Sequence, residues 1–213
     1  MFGILKRNNG ITLIELIVVL IISTVLIMVS AIGVSVFYRR YKVVSDYTSL
    51  QTQAMAALQT IRNGHGFGRG EEFYGVANAR SLQILGGTDV FGGGSGIRIL
   101  PPAARDYQAN DWVEFYLDGT AIRMNYVYNG VQVDTPQYIF PTRDQLDKIQ
   151  VTRFEVYDAN GTGSILPIES LSVEDRPALL RVELDARVKI RDGIHPKPDE
   201  YKTISYSTYM VKK

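Results

Sequence analysis

Hydrophobic and polar positions change their rhythm along this chain in three regimes. From Ile11 to about Tyr38 the run is apolar almost without a break, and its one charge is Glu15. Roughly 20 apolar helical residues cover the hydrocarbon core of a bilayer, so the stretch is long enough to cross one. The helical period then continues in diluted form. Val43, Val44, Tyr47, Leu50, Ala54, Leu58 and Ile61 recur at steps of three or four, and no Pro or Gly interrupts Ser35 to Arg62. At about 1.5 Å per residue, Ile11 to Ile61 makes a helix on the order of 75 Å long, well over twice the bilayer core. Its second half is therefore expected outside the membrane, with the apolar stripe against a sheet and Gln51, Gln53 and Gln59 on other faces. A coiled coil is the rival for this stripe, but it has only about three heptads and few flanking charge pairs. Asn63-Gly64 ends the helix, the glycine suiting a left-handed closing turn.

Alternation with a period of two takes over in the third regime. Gly64 to Arg105 is glycine-rich, with short strands at Ser81–Leu85 and Ile97–Leu100 between surface loops such as Gly92-Gly93-Gly94-Ser95-Gly96. Trp112–Leu117, the turn Asp118-Gly119-Thr120, Ala121–Tyr128, Asn129-Gly130 and Val131–Val133 read as a meander. Asp-Gly and Asn-Gly readily adopt the positive φ angles of tight hairpin turns. Ile149–Tyr157 alternates Val151, Phe154 and Val156 with charged neighbours, and Leu179–Arg191 pairs with Tyr201–Val211 across a loop containing Pro196 and Pro198. The elements predict an α+β fold, a long N-terminal helix packed on an antiparallel β-sheet head. Its divisions are a leader over residues 1–10, a helix over 11–62 (11–38 transmembrane, 39–62 amphipathic) and a β-rich globular head over 63–213.

A carboxylate inside a membrane segment costs about 2.5–3.5 kcal/mol on insertion scales at the helix centre, and marks a functional position by default. Glu15 is therefore expected to need a partner. A cut between Gly10 and Ile11 would free an α-amino group a few residues away, which the Glu15 of a neighbouring subunit could meet. Lys6-Arg7-Asn8-Asn9-Gly10 followed by Ile11-Thr12-Leu13-Ile14-Glu15-Leu16-Ile17 resembles the leader and cleavage motif of type IV prepilins and type II secretion pseudopilins. The resemblance implies that a membrane-embedded prepilin peptidase cuts after Gly10 and methylates the amine of Ile11, and that Glu15 guides subunits into a helical filament. It implies as partners other pilin or pseudopilin subunits and an inner-membrane assembly platform. The sequence departs from the family pattern in having Ile rather than Phe as residue 11. It also lacks the proline that many major pilins carry midway along this helix; Ile32 and Gly33 stand there.

Two plainer readings fit less well. A secretory signal peptide has an apolar core of about 7–15 residues with its small-residue cleavage site after it, whereas here the run is about twice as long and the small residue precedes it. A simple anchor accounts for the length but not for the glutamate. Lys6 and Arg7 argue for a cytoplasmic N-terminus, yet Arg39, Arg40 and Lys42 lie beyond the apolar run. The motif places the leader inside, in an inner-membrane protein with an extracytoplasmic head, and the second basic group then snorkels to the outer headgroups.

Composition adds exclusions. A net charge of +1 without a basic groove interleaved by aromatics argues against direct nucleic-acid binding. Cysteine is absent, so the head must be stabilised by burial rather than by a disulfide. Thirteen tyrosines suit half-buried strands. His65 and His195 are the only histidines and stand in glycine- or proline-rich segments, without the convergent partners of a triad or zinc site. Ser95 lacks the spacing of a nucleophile elbow. Asp158 and Asn160 are the oxygen ligands of a partial calcium loop, but the segment to Gly163 serves equally as an ordinary turn. No cofactor is expected, and no catalytic residue.

A second, weaker resemblance covers the C-terminal half. Phe115-Tyr116-Leu117, Phe154-Glu155-Val156-Tyr157-Asp158 and Arg176-Pro177-Ala178-Leu179-Leu180-Arg181-Val182-Glu183-Leu184 resemble minor pseudopilin J and the related minor pilin W. Together the resemblances imply a minor pilin or minor pseudopilin of a type IV pilus or type II secretion pseudopilus, with the initiating tip complex as one place for it. A filament-tip binding module or adhesin and a competence (DNA-uptake) pseudopilin are the alternatives.

Overall fold

A computed structural model of the protein describes residues 12–64, 66–67, 71–72, 75–86, 93–101, 111–128, 130–132, 135–159, 179–191 and 198–212. One helix, α1 (Leu13–Asn63), runs unbroken for 51 residues. Its sequence explains its length: no proline interrupts it, and Glu15 in the first turn and Arg62 in the last complement the helix dipole. Gly33 does not break it, and a Cβ at Gly33 would meet nothing within 4 Å. Within the apolar stretch, the Thr24 hydroxyl donates to the Leu20 carbonyl at 2.8 Å, so it needs no partner from outside. The helix closes as expected at Gly64, whose φ is +82° and whose N–H donates to Thr60 O at 2.8 Å. The chain then returns onto this end, because a Cβ on Gly75 would lie 2.2 Å from Gly64 N and 2.4 Å from Arg62 O.

The chain divides into two compact units, 1–45 and 46–213. In the first, every large apolar side chain described from Leu13 to Tyr41 is exposed, and the helix is long and apolar enough to cross a membrane. In the second, the stripe of α1 is buried: Leu50, Ala54 and Ile61 are 0 % exposed and Leu58 8 %, within one core shared with the strands. The amphipathic reading of the stripe thus holds from Tyr47 onward, packed on the head rather than on another helix. Val44 departs from it, being exposed.

The head carries two larger antiparallel sheets. One has the order β3 (Ser81–Leu85), β5 (Gly96–Leu100), β6 (Trp112–Asp118), β7 (Ala121–Tyr128), β8 (Val131–Gln132), with β9 (Gln137–Phe140) also on β7. The other has the order β12 (Glu200–Val211), β11 (Leu179–Arg191), β10 (Ile149–Asp158), β4 (Gly93–Gly94). A small pair, β1 (Gly66–Phe67) and β2 (Glu71–Glu72), stands apart. Gly119 and Gly130 have φ of +61° and +71°, as hairpin turns of this kind demand. The alternating apolar residues face inward: Val151, Phe154 and Val156 on β10, Leu180, Val182, Leu184, Ala186 and Val188 on β11, Ile204 and Met210 on β12. On β10 the even step is broken by a bulge between Val151 and Arg153.

Two local expectations change. Gly93-Gly94 is not loop but the two-residue β4, paired with Val156 and Tyr157. Gly96 is held by close approach: a Cβ there would sit 2.7 Å from Phe115 O. β9 has no clear alternation in sequence, and forms because β7 offers it an open edge. On the sheet surfaces, arginines stack on aromatic rings of neighbouring strands: Arg98 on Trp112 at 4.6 Å, Arg123 on Tyr138 at 4.5 Å, Arg181 on Tyr157 at 4.7 Å and Arg187 on Tyr201 at 4.4 Å. These clips add to core burial in a chain with no cysteine.

Candidate assembly site at the helix N-terminus

The first four N–H groups of a helix have no intrahelical acceptor, and inside a bilayer no water replaces it. α1 answers this with its own side chains. Thr12 precedes the first helical residue, and Glu15 stands three residues on. The Thr12 N–H donates to Glu15 Oε2 at 2.9 Å, and the Glu15 N–H donates to Thr12 Oγ1 at 3.3 Å. The Thr12 hydroxyl also donates to Oε2 at 3.2 Å, and Leu16 N–H reaches Thr12 O at 3.2 Å. This is a reciprocal capping box, Thr-x-x-Glu, with the carboxylate at the positive end of the helix dipole.

Within its own chain Glu15 is thus already partnered by Thr12, in addition to the partner expected of it in a neighbouring subunit. The acid is accommodated because it accepts two hydrogen bonds and neutralises the dipole end. Its chemistry is not exhausted, however. Both bonds fall on Oε2, and among the described residues none reaches Oε1, so one oxygen retains its acceptor capacity. Because Thr12 N is an amide nitrogen, hydrolysis of the bond before Ile11 would leave the capping box intact. Thr12 was legible as a site residue: a Ser or Thr three positions before an acid at the head of an apolar run is the sequence signature of this cap.

Gly10 and Ile11 lie outside the described residues, as do His65, His195 and Asn160. At the far end of the apolar stretch Phe37 stacks on Tyr41, with centroids 6.5 Å apart and planes at 20°. Tyr38, Tyr41 and the basic Arg39, Arg40 and Lys42 are exposed there, in the composition of an interfacial belt.

In the head, Ser95 lies in the turn between β4 and β5, where its carbonyl accepts from Leu117 N–H at 2.9 Å. Asp158 closes β10 opposite Leu180, and the next residue, Ala159, bonds Leu179 O at 2.7 Å, so this point is a strand end held to β11. The described residues contain no group of three His, Cys, Asp or Glu arranged to hold a metal. The most perturbed groups form a ladder on the outer face of β10 and β11. Arg153 binds Glu155 and Glu183, and Tyr157 donates to Glu155. The Arg153 and Tyr157 hydrogen bonds hold the Glu155 carboxyl below its usual range, and Glu155 in turn raises the Tyr157 phenol and, chiefly, the Arg153 guanidinium. On Tyr116 the phenol is raised too, by burial and then by Asp118 and Glu114.

No curated protein and no solved structure matches this chain. One family model does: the prokaryotic N-terminal methylation motif, over residues 5–31, a span that contains the capping box and the first part of α1. That motif, at the head of one long apolar helix followed by an antiparallel β head, indicates a type IV pilin-like or pseudopilin subunit.

Proposed function

We propose that this chain is a minor pilin or minor pseudopilin, made as a single-pass inner-membrane precursor with its head outside the cytoplasm. In this reading prepilin peptidase removes residues 1–10 by cutting between Gly10 and Ile11, and the amine of Ile11 is methylated. Subunits then assemble through residues 11–38, with 39–62 and the head at 63–213 outside the lipid. The observation that carries the reading is the methylation motif on a helix whose apolar side chains from Leu13 to Tyr41 find no cover within the chain.

Assembly supplies that cover. Lateral packing of like helices covers the exposed side chains, and the free amine of an adjacent subunit would use the Oε1 lone pairs that the Thr12 cap leaves open. The role is structural, and the partners are the peptidase, other pilin-like subunits and an assembly platform. Mass spectrometry of the chain with and without the peptidase tests this. Loss of residues 1–10 and gain of one methyl group on Ile11 are expected only when the peptidase is present. Working fibres whose subunit still carries residues 1–10 would overturn it.

A further inference from the structure

Where the apolar stretch of α1 ends, residues 37–42 interleave three rings with three cations, and all six side chains are exposed. At 3.6 residues per turn, Phe37, Tyr38 and Tyr41 fall within about 100° of the helix circumference, and Arg39, Arg40 and Lys42 spread over about 160° of the rest. The cations have no answering acid. Among the described residues none of the three enters an ion pair or lies on a ring. Between Glu15 and Glu71 the sequence holds a single acid, Asp46. It stands four residues after Lys42, the spacing of a helical ion pair, but its carboxylate instead holds Lys148 Nζ at 2.5 Å, with 15 % of the Asp46 side chain exposed. The acid that could have neutralised this collar is thus spent elsewhere.

We propose that residues 37–42 bind anionic phospholipid in the leaflet at the C-terminal end of the apolar stretch, with Arg39, Arg40 and Lys42 on headgroup phosphates and the three rings at the hydrocarbon boundary. This rests on the reading of that stretch as a bilayer span. Depth supports the placement. Residues 16–37 cover about 33 Å at about 1.5 Å per residue, against about 30 Å of hydrocarbon, so the collar begins where the headgroups do. Glu15 then falls at the opposite edge rather than mid-bilayer. Charge selects the lipid. A zwitterionic headgroup brings an ammonium with its phosphate and leaves three cations uncompensated, whereas a net-negative headgroup supplies the missing charge. Arg39 and Arg40 add planar forks that donate to two phosphate oxygens at once, and the rings are the amphipathic type that settles at this depth.

The full chain in phosphatidylcholine vesicles doped with spin-labelled phosphatidylglycerol or spin-labelled phosphatidylcholine tests this, because lipid held at the protein shows as a motionally restricted signal. The restricted fraction is expected to favour phosphatidylglycerol by about threefold, and the preference should shrink as added salt screens the charges. Arg39→Gln/Arg40→Gln/Lys42→Gln should abolish the preference while the chain still resists alkaline extraction from the vesicles. Arg39→Lys/Arg40→Lys keeps the charge and should keep most of the preference. Val44→Glu places an acid four residues after Arg40 at an exposed position and should lower the preference with all three cations in place. Equal restricted fractions for the two lipids in a chain that resists alkaline extraction would overturn the proposal and leave the cations to an acidic surface on another subunit. A preference that survives the triple glutamine substitution would overturn it too. Release of the chain by alkali would instead refute the bilayer span, and the proposal with it.

Discussion

The two parts of α1 are the same secondary structure with opposite dependence on their surroundings. Along residues 13–45 the helix exposes its apolar side chains, Leu13 at 76 % and Ile27 at 69 %, whereas from Leu50 to Ile61 the stripe is sealed in the head core. A core residue draws its stabilisation from its own chain, at roughly 25 cal/mol per Å² of apolar surface removed from water. A residue of the first part gains nothing until lipid or another helix covers it. The lesson is that helix continuity says little about where stability resides, and that substitutions in the two parts should register in different experiments.

The largest effect is expected from Phe154→Ala, at a side chain 1 % exposed in the centre of β10. It should destabilise the head by about 3–5 kcal/mol, seen as a lowered melting temperature. Val25→Ala, in the exposed part of α1, should leave that melting unchanged and instead weaken helix–helix association in membranes. An equal loss of head stability from both would erase the contrast. Gly75→Ala comes next. Its Cβ meets backbone rather than a yielding side chain, so a loss of about 1–3 kcal/mol is expected in the same melting measurement.

Thr12→Val keeps the shape of the residue but removes the hydroxyl of the cap. The loss is expected to be about 1 kcal/mol, read as faster amide hydrogen exchange at Leu13–Leu16 in micelles with no change beyond Ser45. Gly33→Ala fills open space in a helix interior and should stabilise the first part by up to about 1 kcal/mol, raising helicity without moving the head transition.

The smallest effect concerns pH. The Glu155 carboxyl is lowered from its ordinary 4.5 by Arg153 and Tyr157, so its contribution is fully present above that value and is lost as pH falls through the depressed one. Glu155→Gln should therefore flatten the acid side of the head's stability profile while leaving residues 13–45 indifferent to pH in that window. An unaltered profile would show that the ladder does not couple to folding.

Much of this division was legible in the sequence because it is written in periodicity. The unbroken apolar run, the later three-four stripe ending at Gly64 and the hairpin turns at Gly119 and Gly130 each follow from local rules, and the structure places them as expected. β9 and β4 were not legible, since a four-residue segment and a glycine pair acquire strand geometry only from the edges that receive them. Thr12 is legible by a local rule as well. The single charge in an apolar segment points to a partner in another molecule, and the hydroxyl three residues earlier forms half of a cap with it. Val44 departs from the stripe because it precedes the part of the helix that the sheets cover.

The four arginine–ring stacks carry a consequence for the head at high salt. Between 0.1 M and 1 M salt the distance over which exposed charges feel each other contracts from about 10 Å to about 3 Å, and pairs such as Arg153 with Glu155 weaken accordingly. A planar guanidinium lying 4.4–4.7 Å from the centre of an indole or phenol ring loses less, since much of that contact is stacking rather than long-range attraction. Each stack ties one strand to its neighbour, so a rise in salt should loosen the ion pairs on the sheets while leaving their seams closed.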